Sequence, residues 1–314
     1  MIVRERPSGL VLFLVLRGSI MPRILPIFIV NIVFATLVTF SHGDLFNLKI
    51  TLTAIPFSLI GLPIAIFLGF RNNAAYDRFW EGRKLWGELV YHSRSFSRQC
   101  ASLIDYPVPA RASEGLGDAR VRMVYRAIAF AHALRGLLRA TDSAADVRGL
   151  LLPDELAQME KAFNKPDFLM GRMGMDLRLC LKEGRIEACL AASVDATLSA
   201  MTATAASCER IKNTPIPFSY TLLLHRTAYL YCFLLPFGLV DSIGFMTPFV
   251  VAIVAYTFFG LDALSGEIEE PFGLAPNDLP LDAICRSTPS STSGCASRGT
   301  TRTCRRRSRR SIIA

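Results

Sequence analysis

The side chains that could do chemistry are few, and their spacing does not build a catalyst. Four histidines are scattered, with no HxxxH or HExxH pair to hold a metal. The cysteines (Cys100, Cys180, Cys189, Cys208, Cys232, Cys285, Cys295 and Cys304) form no CxxC pair and most sit in apolar helical patterns, the habit of reduced thiols in a cytosolic setting. No nucleophile elbow and no phosphate-binding loop occurs. The expectation is therefore no catalytic residue, no metal ligand, no cofactor and no enzyme. What remains is charge in unusual places. His225 and Arg226 lie in the middle of an apolar run, residues 216–238. An arginine at membrane depth costs about 2.5–3.5 kcal/mol on insertion scales and faces protein or water. Arg226 is thus either functional or structural, paired with an acid or with carbonyls freed near Pro56 or Pro63. Glu267, Glu269, Glu270 and Asp278 flank a Pro-Phe-Gly turn, and Asp77 and Glu81 follow another apolar run.

That run, Thr51 to Phe70, is long enough to cross a bilayer as a helix. It passes into the charged, aromatic stretch Arg71 to Trp86 with no Pro to stop it, so one rod is expected to leave the membrane and enter water. Ser58, Leu62, Ile66 and Phe70 fall at i, i+4 steps and share one stripe. Gly61, Ala65 and Gly69 form the next, a small-residue face of the kind that lets helices approach closely in lipid. A small face beside a bulky apolar stripe could line a narrow hole in a ring; an ordinary lipid-facing or buried stripe has the same spacing. Asp77 and Glu81 continue the stripe, either as vestibule charges or as partners of Arg78, Arg83 or Lys84.

These residues are carried by a chain of mixed character. It has 314 residues, 51% of them hydrophobic, which fits membrane spans plus a sizeable polar part. The formal net charge of +9 misleads, because seven arginines and no acid lie in residues 287–314, leaving +2 for residues 1–286. No basic patch interleaved with aromatics remains, so no nucleic-acid partner is expected. Residues 10–16, LVLFLVL, are too short for a span and lack a cleavage site, and read as an interfacial lead-in.

Spans are expected at residues 24–40, 51–70, 216–238 and 245–261. Arginines before the first and after the second put both those ends in the cytosol, with the loop near Asp44 outside. Between spans two and three, residues 120–140 read as an amphipathic helix with Val124, Ile128 and Ala131 on one side and Arg122, Arg126 and Arg135 elsewhere. Residues 153–163 read as another helix, and residues 174–211 as one long or two shorter helices too polar to span. The expected organisation is 1–99 (lead-in, spans one and two and the extension of span two), 100–213 (cytosolic helical domain), 214–264 (spans three and four), 265–286 (the Pro-Phe-Gly segment) and 287–314, a polar, arginine-rich disordered tail.

Three blocks carry a likeness: FLGFRNNAAYDRFWEGRKLWGEL (67–89), CERIKNTPIPFSYTLLLHRTAYLY (208–231) and IEEPFGLAPNDLPLDAIC (268–285). In this order they resemble the bacterial bestrophin homologues, over most of residues 1–286. The resemblance implies an all-α membrane protein of the bacterial inner membrane. Each subunit would have four transmembrane helices, a cytosolic helical bundle and both termini in the cytosol, and five subunits would surround one central pore. Its partners would be its own copies, the lipid bilayer and monovalent ions. It implies a hydrophobic neck of three bulky residues on the second span, which fall on Leu62, Ile66 and Phe70. It implies a cytosolic aperture at Leu190, with Ile186 as the alternative. Animal members hold calcium with an acidic run after the Pro-Phe-Gly turn; here Leu274, Ala275 and Pro276 follow instead, and Asp278 is the one nearby carboxylate. Bacterial relatives imply sodium selectivity, animal ones chloride. A transporter using His225 and Arg226, or a scaffold without transport, are the other classes to be weighed.

Overall fold

The computed structural model describes residues 18–41, 44–45, 48–49, 53–105 and 115–287. The lead-in at residues 10–16, and the tail apart from Ser287, lie outside them. The described residues form ten α-helices: α1 (Met21–Phe40), α2 (Ala54–Ser102), α3 (Ala119–Arg139), α4 (Ala144–Val147), α5 (Pro153–Lys161), α6 (Lys165–Lys182), α7 (Ala188–Asn213), α8 (Phe218–Ile243), α9 (Thr247–Ile268) and α10 (Leu281–Ser287). The loop near Asp44 holds two-residue strands, with Asp44 opposite Lys49 and Leu45 opposite Leu48 in antiparallel register.

Four segments are long and apolar enough to cross a membrane: Met21–Phe40, Ile55–Ser102, Ala188–Asn213 and Phe218–Ile268. The last contains α8 and α9, joined by a 3-10 turn at Gly244–Met246, and so accommodates two crossings. By length and composition alone Ala188–Asn213 also qualifies, although the sequence reading takes this stretch as cytosolic and too polar to span. Its first 20 residues contain a single charged side chain, Asp195, among alanines, serines and threonines. Pro56 falls in the first turn of α2, where its missing N–H costs no helical bond. Pro63 is interior, and the helix continues through it.

The chain divides into two units. Residues 1–84 and 208–280 make the first. Ile24 of α1, Ile64 and Leu68 of α2, Leu224 and Ala228 of α8, and Ala255 and Phe259 of α9 share one core cluster. Ala35, Phe57, Leu235 and Val251 make a second. Gly61 is small for a visible reason: a Cβ there would lie 2.8 Å from the Tyr231 hydroxyl. Pro236 interrupts α8 and deprives the Cys232 carbonyl, four residues earlier, of its helical donor. Asn31, wholly buried on α1, donates from Nδ2 to that carbonyl at 3.1 Å.

Residues 85–207 and 281–314 make the second unit. Phe96, Met123, Phe130, Leu134, Met159 and Met173 fill its core. Asp118 caps α3 by accepting from the Arg120 N–H, and Asn164 caps α6 by accepting from that of Asp167. α3 closes on Ala140 in the left-handed conformation, φ 51°. The expected amphipathic pattern of α3 is not what forms. Arg126 is only 2% exposed while Val124 and Ile128 are half-buried. The guanidinium is buried because it is matched: Nε lies 2.6 Å from Glu155 and Nη1 2.6 Å from Asp176, while Arg122 binds the same Asp176 at 2.8 Å.

Candidate functional site

The stripe inferred from spacing lies on α2. Leu62 is 66% exposed, Ile66 46% and Phe70 59%, although all three are apolar. The neighbouring face holds Ile64 and Leu68, 4% and 0% exposed, which fixes the rotation of the helix. Burial on 57/64/68/75 leaves 62/66/70 facing away from the first unit's core. Of the small-residue face, Gly61 is filled by Tyr231, Ala65 is exposed, and Gly69 has no atom within 4 Å of where a Cβ would lie.

Asp77, two turns beyond Phe70, is exposed and engages no other described residue. Glu81 is paired with Arg210 at 2.6 Å, a partner sequence reasoning did not consider. Arg78, weighed there as a partner of Asp77 or Glu81, binds backbone instead. It donates to the backbone carbonyls of Ile211 at 2.6 Å and Glu269 at 3.2 Å, and to that of Thr214. It thereby satisfies carbonyls at the C-terminal end of α7. Leu190, in the first turn of α7, is half-buried; Ile186, in the turn before it, is 5% exposed.

The charged groups within the apolar helices separate. Arg226 is exposed on α8, on a stripe with Leu223 and Leu230, and no described residue pairs with it. The intramolecular partner expected for Arg226 belongs instead to its neighbour: His225 Nδ1 lies 2.7 Å from Asp262 Oδ2. The other oxygen of Asp262 accepts from Arg71 Nη1 at 2.5 Å. Arg71 and Asp262 are both buried, and Glu269 lies 3.7 Å from Arg71 Nη2. Asp262 had no signal of its own in the sequence, because one acid after a span looks like the start of a loop. α9 continues past it to Ile268, so Asp262 keeps the helical phase of the buried Ala255 and Phe258 and faces inward with them.

The carboxylates around the Pro-Phe-Gly turn are committed to structure. Glu267 accepts from Asn277 at 2.8 Å, Glu269 from the Ile216 N–H at 3.1 Å, and Asp278 from the Ala275 N–H at 2.6 Å. Among the described residues, no three His, Cys, Asp or Glu side chains gather in a way that could hold a metal ion.

A family model described as Bacterial/Fungal Bestrophin protein matches residues 1–293. A voltage-dependent anion channel-forming protein of Mesorhizobium japonicum is 46% identical over 291 residues, covering 91% of this chain and 89% of that protein. A protein of the same description from Escherichia coli is 41% identical over 287 residues, covering 91% of each. The crystal structure of a bacterial bestrophin homologue from Klebsiella pneumoniae superposes with a TM-score of 0.78 at 38% identity, covering 84% of this chain and 95% of that one. The chain, a multi-pass membrane protein, belongs to the bestrophin family of ion channels and is not an enzyme.

Proposed function

We propose that the protein is a homopentameric channel of the bacterial inner membrane, with both termini in the cytosol. It passes monovalent ions through one central pore whose neck is formed by Leu62, Ile66 and Phe70. The observation that carries this reading is the outward-facing apolar stripe on α2, whose opposite face is sealed into the core. Copies arranged around an axis along that stripe would stack three apolar rings. Such a constriction can shed water and block ions without a plug. In this reading the first unit is the membrane part, the second is cytosolic, and Leu190 is the second constriction, with Ile186 as the alternative.

Selectivity follows from charge next to the neck. Asp77 is exposed on the same face and pairs with no described residue, and a ring of such carboxylates favours cations, so sodium is the proposed ion. Glu81, bound to Arg210, contributes less to that ring. The relatives described as anion channel-forming support a second reading, chloride. The deciding measurement is the reversal potential of purified protein in a planar bilayer across an NaCl gradient. A value near the sodium equilibrium potential, lost in Asp77→Asn, is expected. A value near the chloride potential replaces the sodium reading with the anion one. Changing Leu62, Ile66 and Phe70 together to Ala should raise conductance; unchanged current in that variant removes the neck.

A further inference from the structure

We infer that Arg23 of α1 and Arg226 of α8 together hold the phosphate of an anionic phospholipid, at one end of an apolar seam between the two helices. Contacts along the seam fix how the helices lie. Asn31 of α1 donates to the Cys232 carbonyl of α8 at 3.1 Å, and the Phe34 ring meets those of Phe233 and Phe237 with centroids 5.8 and 5.9 Å apart. The helices therefore run the same way, with Asn31 level with Cys232. On α1, Arg23, Ile27, Asn31 and Phe34 share one stripe; on α8, Arg226, Leu230, Phe233 and Phe237 share another. The two arginines thus continue the two stripes that meet. Arg23 lies eight residues before Asn31 and Arg226 six before Cys232, a difference in height of about 3 Å at the helical rise.

The side chains of both arginines are exposed, and neither meets an acid or a carbonyl among the described residues. Asp262, bonded to the adjoining His225, is already held by Arg71 as well. A guanidinium does not give up its proton, so two like charges share one end of the seam. An anion between them relieves that, and phosphate oxygens match the guanidinium fork. Depth points to a lipid as the source. Each arginine stands 17 residues before the last residue of its helix, Phe40 or Ile243. That is about 26 Å. Side chains lean towards the helix N-terminus, so both guanidiniums reach towards the edge of a hydrocarbon layer of about 30 Å. Beyond them the seam is rimmed by Val30 and Leu37 of α1 and Leu230 and Leu234 of α8, all exposed. Bulky aliphatic groups suit acyl chains, whereas a face that packs on another membrane helix is built of small residues. Basic pockets between membrane helices are where lipid headgroups bind. With both termini in the cytosol, as read above, this is a lipid of the inner leaflet.

The test is lipid binding by the purified full-length protein, titrated with phosphatidylglycerol, phosphatidylcholine or inorganic phosphate and read by native mass spectrometry. Phosphatidylglycerol should add at lower concentration than phosphatidylcholine, whose headgroup brings its own cation. Arg23→Gln with Arg226→Gln should weaken the phosphatidylglycerol adduct about tenfold or more, as for the loss of charged hydrogen-bond partners. Arg23→Lys with Arg226→Lys should keep the preference. Equal phosphatidylglycerol binding by the unmodified and Gln proteins overturns the inference. Inorganic phosphate that displaces the lipid also overturns it, by making the site one for the free ion. So does a Gln protein that loses subunits while its lipid binding is unchanged, which makes the seam a contact between copies. Should the double Gln variant fail to fold, the single variants replace it: each should lose part of the preference, and no loss in either overturns the inference. Binding is read without current, so a lipid adduct on a protein that passes no ions removes the pore and leaves the lipid site standing.

Discussion

The two units differ in how many of their arginines they set against acids. In the second unit Arg120, Arg122, Arg126, Arg135, Arg139 and Arg185 all meet carboxylates of that same unit, and Asp118, Asp176 and Asp282 each hold two. Burial alone would push the Asp118 carboxyl up, but the hydrogen bonds from Arg120 and Arg185 outweigh it and hold it below the usual range. In the first unit Arg71 meets Asp262 and Arg78 meets backbone carbonyls, while Arg226 stands exposed on an apolar stripe. The first unit also exposes Leu59, Leu62, Leu223, Leu230, Phe245 and Phe249, all well over half accessible. The second unit exposes Tyr91, Phe163 and Met175 as well, but the first leaves more large apolar side chains uncovered, as a surface that meets lipid or another protein does.

Removing one arginine from the second unit should do the most damage. Arg126→Met leaves Glu155 and Asp176 without their shared cation in a buried site, an expected loss of about 3–5 kcal/mol. A thermal melt in detergent would show it, and an unchanged midpoint would break the contrast. Asn31→Leu strips the Cys232 carbonyl of its donor within the membrane helices and should cost about 0.6–1.7 kcal/mol, the range for hydrogen bonds between such helices. Leu62→Ala should shift the melt by no more than about 0.5 kcal/mol, as for surface positions in general. A larger loss would mean that this side chain is packed within the subunit.

A smaller effect concerns acid. Burial, with Arg135 nearby, pushes the His132 imidazole down. Above the unfolded value of about 6.5 both folded and unfolded chains hold it neutral. As pH falls below that, the unfolded chain takes the proton first, so stability is full above about pH 6.5 and declines beneath it. His132→Leu should lose less stability between pH 7.5 and pH 5.5 than the unmodified protein, measured by paired melts. The smallest expected change is in thiol labelling. Cys189 is exposed and should react with maleimide in the folded protein, while Cys285, pushed up to about 12 by burial, should not.

The helices were largely legible in the sequence because each declares itself over a dozen residues. The apolar stripe on α2 was legible for the same reason, since spacing along one helix is enough to group Leu62, Ile66 and Phe70. Which way that stripe faces was not, because it depends on what packs against Ile64 and Leu68. Ion-pair partners were the least accessible. Arg71 finds Asp262 191 residues later, and Arg126 finds Glu155 29 residues later, past α4. His225 and Arg226 are neighbours of similar promise, and only the rotation of α8 decided which would meet the acid. α3 shows the other failure: helical periodicity assumes that arginines face water, and paired arginines do not.

The bond between Asn31 and Cys232 also bears on biogenesis. The donor is made 201 residues before its acceptor. During synthesis α1 therefore enters the bilayer carrying an amide with nothing to bind. α8 arrives much later with a carbonyl in the same condition, freed by Pro236. Each lone span carries an unmet polar group in hydrocarbon until the two lie side by side, so α1 has to be kept near the insertion site, or find its way back, while the long intervening segment is made.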